Sequence, residues 1–151
     1  MKHNREFDII VYGASGFTGR LIAEYLAARH ANTGDFRWAL AGRNADKIAS
    51  TIAEANLPAD LPIITVDSAD ADSLRGMAER TAVVLTAVGP YQLYGSGLVA
   101  ACVAAGTDYV DLCGEPNWMR EMIEQHQAGA QASGARIVFS CGFDSIPFDL
   151  G

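Results

Sequence analysis

Short apolar runs alternate with longer stretches in which apolar residues recur at helical spacing, along almost the whole chain. The apolar runs contain many β-branched residues and have the length of buried strands. They predict strands over residues 7–12, 37–41, 63–66, 82–88, 109–112 and 136–140. The stretches between them predict helices over residues 17–29, 46–55, 71–80, 97–105 and 117–133.

Strands that alternate with helices are typical of a parallel sheet whose connections cross over in the right-handed sense. Continuous apolar strands, without a polar residue at every second position, indicate that helices cover the sheet. We therefore predict a doubly wound α/β domain of the Rossmann type, with the strand order 3-2-1-4-5-6.

The composition of the chain excludes some classes of function. The chain has 151 residues, of which 50% are hydrophobic, and this suits one domain with a sizeable core. The net charge of −7 is unfavourable for nucleic acid, so we expect no nucleic-acid partner and only a small, local phosphate site. No apolar run approaches the ~18 residues of a membrane span.

The cysteines predict the cellular compartment and exclude one kind of metal site. Cys102, Cys113 and Cys141 are odd in number and lack CxxC spacing, so neither a disulfide framework nor a structural zinc site is expected. The polar start of the chain does not have the pattern of a signal peptide. We expect a cytoplasmic protein in a reducing setting, without a bound metal.

A glycine-rich loop joins the first predicted strand to the first helix. Gly13, Gly16 and Gly19 have G-x-x-G-x-x-G spacing, which permits a tight turn, close approach of a pyrophosphate, and close packing of the helix on the sheet. Backbone N–H groups at the helix start can bind an anion, and Ser15 and Thr18 can add hydroxyl donors. A tight turn without a ligand is the alternative. The chain has no G-K-[ST] sequence, which excludes a nucleotide-hydrolysing P-loop.

The end of the second strand predicts which dinucleotide binds. An NAD site usually has an acidic residue there, and this also holds for a methyltransferase, whereas this chain has Arg43 followed by Asn44. A guanidinium can bind the 2′-phosphate of NADP(H) through two hydrogen bonds, assisted by Asn44 and Lys47. The alternative is a solvated arginine. Asp67, which ends the third strand ahead of Ser68, could accept from the adenine amino group or cap a helix.

The end of the fourth strand lies at the same predicted edge of the sheet. Val88, Gly89 and Pro90 are small or compact, which leaves room for the ribose and nicotinamide. Tyr91 and Tyr94 could line the ring pocket or serve in packing and at the surface. For Tyr94 the second role is favoured.

Catalytic residues cannot be assigned from the sequence. Lys2 and Lys47 do not follow a tyrosine at the Tyr-x-x-x-Lys spacing of short-chain dehydrogenases. His3 lies in the tail, and His30 and His126 lie on helices, where surface positions are expected.

The ends of the fifth and sixth strands carry acidic and thiol groups. Asp111 and Glu115 follow the fifth strand, while Cys141 and Asp144 follow the sixth. Cys141 could be a nucleophile, but no cationic residue near it in sequence would lower its pKa, so an inert cysteine is favoured. Glu115 and Asp144 could cap helices or hold turns.

Several of these motifs together match one family. They are residues 13–19 (GASGFTG), 41–43 (AGR), 88–95 (VGPYQLYG), 109–115 (YVDLCGE) and 141–151 (CGFDSIPFDLG). The chain resembles the N-terminal domain of the saccharopine dehydrogenase-like oxidoreductases, a group that includes bacterial trans-acting enoyl reductases of lipid synthesis. The resemblance implies an NADP-type cofactor, hydride transfer, and a second domain that shapes the site for a small-molecule or acyl substrate.

Two alternatives stay open. The GASGxTG loop also occurs in semialdehyde dehydrogenases, in which Cys141 would have to be the nucleophile. A redox sensor would bind NADP(H) through the same loop without catalysis.

We expect residues 1–151 to form one dinucleotide-binding domain, from which a substrate domain has been cut off, naturally or by design. Its exposed docking surface could produce a homodimer. The residues expected to bind NADP(H) are Gly13, Ser15, Gly16, Phe17, Thr18, Gly19, Arg43, Asn44, Asp67, Val88, Gly89 and Pro90.

Overall fold

The structure is a computed structural model that describes residues 4–30 and 37–150, without the side chains of residues 149 and 150. A six-stranded sheet with the order β3-β2-β1-β4-β5-β6 forms its centre, and every neighbouring pair of strands is parallel. The strands are β1 Phe7–Tyr12, β2 Trp38–Gly42, β3 Ile63–Thr65, β4 Thr81–Thr86, β5 Asp108–Val110 and β6 Ile137–Val138. The predicted doubly wound fold and strand order are confirmed.

Seven helices lie between and after the strands in the described part of the chain. They are α1 Phe17–His30, α2 Ala45–Glu54, α3 Ala71–Arg80, α4 Tyr91–Tyr94, α5 Ser96–Ala105, α6 Pro116–Ser133 and α7 Ser145–Leu150. Within residues 4–30 and 37–150, no helix is both long enough and apolar enough to span a membrane.

Two apolar clusters cover the faces of the sheet. On one face, α3, α5 and α6 pack through Leu74, Val99 and Met122 against β1 and β4. On the other face, α1 and α2 pack through Ala23 and Ile48 against β1 and β2. Both faces of the central strand β1 are therefore buried, and the carboxyl ends of its neighbours meet at one edge of the sheet.

The structure differs from the predicted elements at its later strands. β4 ends at Thr86, two residues before the predicted end, and β6 contains two residues where five were predicted. The two short helices α4 and α7 were not predicted. Four residues connect β4 to α4, and the peptide bond between Gly89 and Pro90 in this connection is cis.

Candidate cofactor-binding site

A cleft of about 500 Å³ opens at the carboxyl edge of the sheet, where β1 lies between β2 and β4. Crevices at such switch points bind ligands in open α/β sheets. The segments that follow four strands form its walls: the loops after β1, β2 and β3, and the turn after β4. The lining residues are Tyr12, Gly13, Ser15, Gly16, Gly42, Arg43, Asn44, Lys47, Ser68, Ala87, Val88, Gly89, Pro90 and Tyr94.

The glycine loop has the close packing predicted for it. Gly13 has a φ of +92°, and its N–H donates to the carbonyl of Ala41 at 2.9 Å. The N–H of Gly16 donates to the carbonyl of Gly13 at 3.0 Å, which closes the turn. A Cβ at Gly19 would lie 2.1 Å from the Gly13 carbonyl oxygen, so α1 can approach the loop this closely only with glycine there.

The first turn of α1 is suited to an anion. It contains no acidic residue, and its first N–H groups have no carbonyl of their own helix to bind. The side chains of Phe17 and Thr18 do not line the cleft: Phe17 is 82% exposed, and Thr18 lines a separate groove beside α1. Any contribution of these two residues to the cleft would therefore come from their backbone.

Two cationic side chains stand at the β2 side of the cleft, Arg43 and Lys47. The Asn44 side-chain oxygen accepts from the Lys47 N–H at 2.9 Å and so forms the N-cap of α2. This cap fixes the start of the helix and keeps Lys47 near Arg43. Asn44 therefore has a structural role in addition to lining the cleft.

Tyr12 and Ser68 complete this wall, and neither was predicted as a site residue. Burial raises the pKa of the Tyr12 hydroxyl, and the negative Asp67 adds to this rise. The hydrogen bond with Ser68 and the positive Arg43 lower the same pKa. Tyr12 could have been found from the sequence because it is the last strand residue before Gly13.

Asp67 does not cap α3, so that alternative is wrong. Asp70 is the N-cap, and its carboxylate accepts from the N–H groups of Asp72 and Ser73 at 2.9 and 3.3 Å. The Asp67 carboxylate instead accepts from the Ala69 N–H at 3.0 Å in a local turn. Its contact with an adenine amino group stays a prediction.

The turn after β4 forms the opposite wall through Ala87, Val88, Gly89 and Pro90. Val88 packs so closely on the glycine loop that a Cβ at Gly13 would lie 2.8 Å from Val88 Cγ2. The two loops therefore pack directly against each other.

The structure gives Tyr94 a role opposite to the one that the sequence favoured, and it gives Tyr91 the packing role that the sequence left open. Tyr94 is 43% exposed and lines the cleft, whereas Tyr91 is 6% exposed and lies outside it. Tyr91 packs against Trp118 at 5.7 Å between ring centroids, and its hydroxyl donates to the Thr86 carbonyl at 3.3 Å. Burial raises the pKa of Tyr91 to about 12, so it stays neutral at physiological pH.

Glu115 holds α4 from a distant part of the sequence. Its carboxylate oxygens accept from the N–H groups of Tyr91 and Gln92 at 2.7 and 2.8 Å. This confirms the capping role considered for Glu115, although the helix it caps is α4, which the sequence did not predict. It anchors the residue that directly follows the Gly89–Pro90 wall of the cleft.

Asp111 joins the ends of β5 and β6 beneath the surface. Its carboxylate accepts from the Tyr109 hydroxyl at 2.7 Å and from the N–H groups of Cys113 and Ser140 at 3.0 and 2.8 Å. Burial raises the pKa of this carboxyl, and the hydrogen bonds partly oppose the rise. Asp111 is therefore committed to holding two loops together.

Cys141 does not have the surroundings of a nucleophile. Its side chain reaches solvent outside the residues that line the cleft, and its sulfur lies 3.7 Å from the carbonyl oxygens of Val138 and Phe139. Partial burial and the negative Asp111 raise the pKa of the thiol. A protonated thiol is a poor nucleophile, which disfavours the semialdehyde dehydrogenase mechanism.

The described histidines are not in the cleft. His30 ends α1 and His126 lies within α6, while His3 and Lys2 fall outside the described residues. Among residues 4–30 and 37–150, no group of three or more His, Cys, Asp or Glu side chains could hold a metal ion.

The cleft thus combines a helix start that is suited to an anion with two cations, one directly after β2 and one in the first turn of α2, an arrangement typical of dinucleotide-binding domains. The model of the saccharopine dehydrogenase NADP-binding domain matches residues 9–138, and the chain belongs to this family. NADP is the cofactor of the family, and the curated relatives of the chain are named as reductases.

Several curated relatives are about half identical to the chain. A Mycobacterium tuberculosis protein provisionally named a trans-acting enoyl reductase is 52% identical over 147 residues, or 97% of the chain and 34% of the relative. The trans-acting enoyl reductase of Mycobacterium leprae is 49% identical over the same shares. The chain therefore spans about a third of the length of these relatives.

Solved structures share the fold at low identity. Apo saccharopine dehydrogenase (L-Glu forming) from Saccharomyces cerevisiae has a TM-score of 0.72 at 19% identity, over 92% of this chain and 28% of the other. A Citrobacter triphenylmethane reductase complexed with NADP(H) has a TM-score of 0.57 at 19% identity, over 88% of this chain and 48% of the other.

Proposed function

We propose that the chain binds NADP(H) in the cleft and presents it for hydride transfer to a substrate held by further polypeptide. The pyrophosphate would lie at the start of α1, against Ser15 and Gly16. Arg43 and Lys47 would bind the 2′-phosphate. The nicotinamide would lie at the Val88–Pro90 wall, beside Tyr94.

The observation that carries this proposal is the placement of both cations on one wall of the cleft, beside the glycine loop. Arg43 follows β2, where an NAD site would usually have an acidic residue for the ribose hydroxyls. The charges of Arg43 and Lys47 favour a phosphate at the same place. Family membership supports NADP as the ligand.

The residues that line the cleft support the proposal that further polypeptide is needed. Its lining residues with titratable side chains are Tyr12, Arg43, Lys47 and Tyr94. Bound NADPH would supply the hydride, but these residues form only one side of a reaction site. We infer that substrate contacts and water exclusion come from polypeptide equivalent to the part of the relatives that this chain does not match.

The names of the relatives suggest an α,β-unsaturated acyl substrate. A chimera tests this: the present chain replaces the matching segment of the M. leprae relative, and NADPH consumption is followed with a short 2-enoyl thioester. We expect the chimera to consume NADPH and the 151-residue chain to bind it without consumption. The unchanged relative is the positive control.

The same assay separates the alternatives. Cys141→Ser should leave turnover by the chimera intact, whereas a semialdehyde dehydrogenase mechanism requires its loss. A chimera that binds NADPH but does not consume it, while the relative does, would contradict the proposal and favour a redox sensor. Turnover by the 151-residue chain alone would contradict the need for further polypeptide.

A further inference from the structure

One face of the sheet is covered unevenly. The strand register places Ile10, Val84, Tyr109 and Ile137 in a row across β1, β4, β5 and β6. The first three are fully buried under α3, α5 and α6, and Ile137 packs against the same cluster. Helices therefore cover this side of the sheet as far as its last strand.

The parallel row on the opposite face becomes exposed toward β6. It consists of Val11, Leu85, Val110 and Val138. Val11 is fully buried, Leu85 and Val110 are half-buried, and Val138 is 47% exposed. The cluster that α1 and α2 form on this side contains residues of β1 and β2 but none of β4, β5 or β6 among the described residues.

Further apolar side chains surround this row. Leu112 follows β5, while Phe143 and Ile146 lie before and within α7, and Phe143 is 87% exposed. Together with Leu85, Val110 and Val138 they form what we call the uncovered face. A groove of about 490 Å³ covers part of this face between α1 and α7, where Leu85, Val110, Leu112 and Phe143 line it together with Asp111 and Asp144. Val138 and Ile146 line the neighbouring depression, which shares Cys141 and Ser145 with the groove. Clustered apolar residues of this kind mark an interaction surface on a protein.

We propose that the uncovered face is the docking site of the polypeptide that follows residue 151 in proteins of the relatives' length. About two thirds of each relative lies outside the matched part, which is enough for a further domain. The last helix, α7, lies on the uncovered face itself, so polypeptide that continues from it would emerge there. The row Leu85, Val110 and Val138 contains no charged residue, as expected for the centre of a permanent interface.

The uncovered face also lies next to the cofactor cleft. Thr18, at the start of α1, lines the groove, and Ser15 and Gly16, just before it, line the cleft. A domain docked on the uncovered face would therefore stand next to the cleft. This docking site rests on the proposed function in one respect, since both require polypeptide in addition to the 151 residues.

The test is thiol labelling of a cysteine on the face. In a Cys141→Ser background the remaining cysteines, Cys102 and Cys113, are buried. Val138→Cys is labelled with a maleimide in the 151-residue chain and in the chimera described above. Ile123→Cys, at a position on α6 that is 50% exposed, is the matched control.

We expect Val138→Cys to react readily in the 151-residue chain and about tenfold or more slowly in the chimera, because burial blocks the thiolate. Ile123→Cys should react equally in both. Equal reactivity of Val138→Cys in the two proteins would overturn the proposal. So would protection that depends on the concentration of the 151-residue chain, since this would assign the face to a second copy.

Labelling needs neither cofactor nor turnover, so its failure is distinguishable from failure of the proposed function. If the chimera protects Val138→Cys but does not consume NADPH, the result would support the docking site and contradict hydride transfer. If the chimera consumes NADPH but leaves Val138→Cys as reactive as in the 151-residue chain, the result would support hydride transfer and contradict this docking site.

Discussion

At the residue scale, the shape of the candidate site depends on two glycines, whose lack of a side chain permits close contacts. The Gly13 carbonyl lies where a side chain at Gly19 would have to be, and Val88 occupies the space beside Gly13. These contacts bring α1, the glycine loop and the β4 turn close together at the cleft. Any side chain at Gly19 would push the start of α1 away from the loop.

Replacement of Gly19 by alanine should therefore reduce both stability and nucleotide binding. Its Cβ would meet backbone rather than a flexible side chain, and such overpacking costs about 1–3 kcal/mol. Gly76→Ala is the matched control, because Gly76 lies within α3 with nothing within 4 Å of its Cβ position. It should gain about 0.5–1 kcal/mol through helix propensity.

Urea unfolding and NADPH titration of both variants measure these effects. If Gly19→Ala were as stable as the parent chain and bound NADPH as tightly, the close packing of α1 on the loop would be unnecessary.

At the element scale, the wall beside Tyr94 depends on the four-residue helix α4. A helix this short has little stability of its own, and its N-cap Pro90 offers no side-chain hydrogen bond. The carboxylate of Glu115 supplies the missing acceptor for two N–H groups. The position of Tyr94 at the cleft therefore depends on Glu115, the N-cap residue of α6.

Glu115→Ala should lower the free energy of unfolding by about 0.5–2 kcal/mol, the range for loss of a helix cap. Glu115→Gln should fall between alanine and the parent chain, because its amide has one oxygen to accept with. Glu121→Ala, an exposed position on α6, should change stability by less than about 0.5 kcal/mol. Urea unfolding of the three variants gives the order, and equal effects at Glu115 and Glu121 would show that the cap does not stabilise α4.

The same elements show which features the sequence could predict. Alternating strands and helices with right-handed crossovers leave few arrangements. The periodicity does not give the strand order, and the order 3-2-1-4-5-6 was expected because it is the usual one in a Rossmann sheet. The roles of Tyr91 and Tyr94 could not be predicted, since they depend on Trp118 and Glu115, more than twenty residues away. The short helices α4 and α7 have no periodic signal of their own, because each contains fewer than two turns.

At the scale of the whole molecule, the two ends of the sheet differ in how completely helices cover their faces. From β3 to β1 the two faces are covered by helices, whereas from β4 to β6 one face is left with exposed apolar residues. The cleft lies at the boundary between these halves, where β1 separates β2 from β4. In the two proposals, one half of the sheet would bind the cofactor, and the other half would receive the polypeptide that holds the substrate.

The most direct test is titration calorimetry of the 151-residue chain with NADPH and with NADH, repeated for Arg43→Ala and for Arg120→Ala. Arg120 is an exposed arginine on α6, paired with Glu124 and outside the cleft, and is the matched control. A charge-assisted contact with the 2′-phosphate is worth about 1.5–3 kcal/mol, or roughly ten- to a hundredfold in affinity. We predict that NADPH binds tighter by at least the lower figure, that Arg43→Ala removes the preference and that Arg120→Ala keeps it. Equal or tighter binding of NADH, or a preference that survives in Arg43→Ala, would contradict the account.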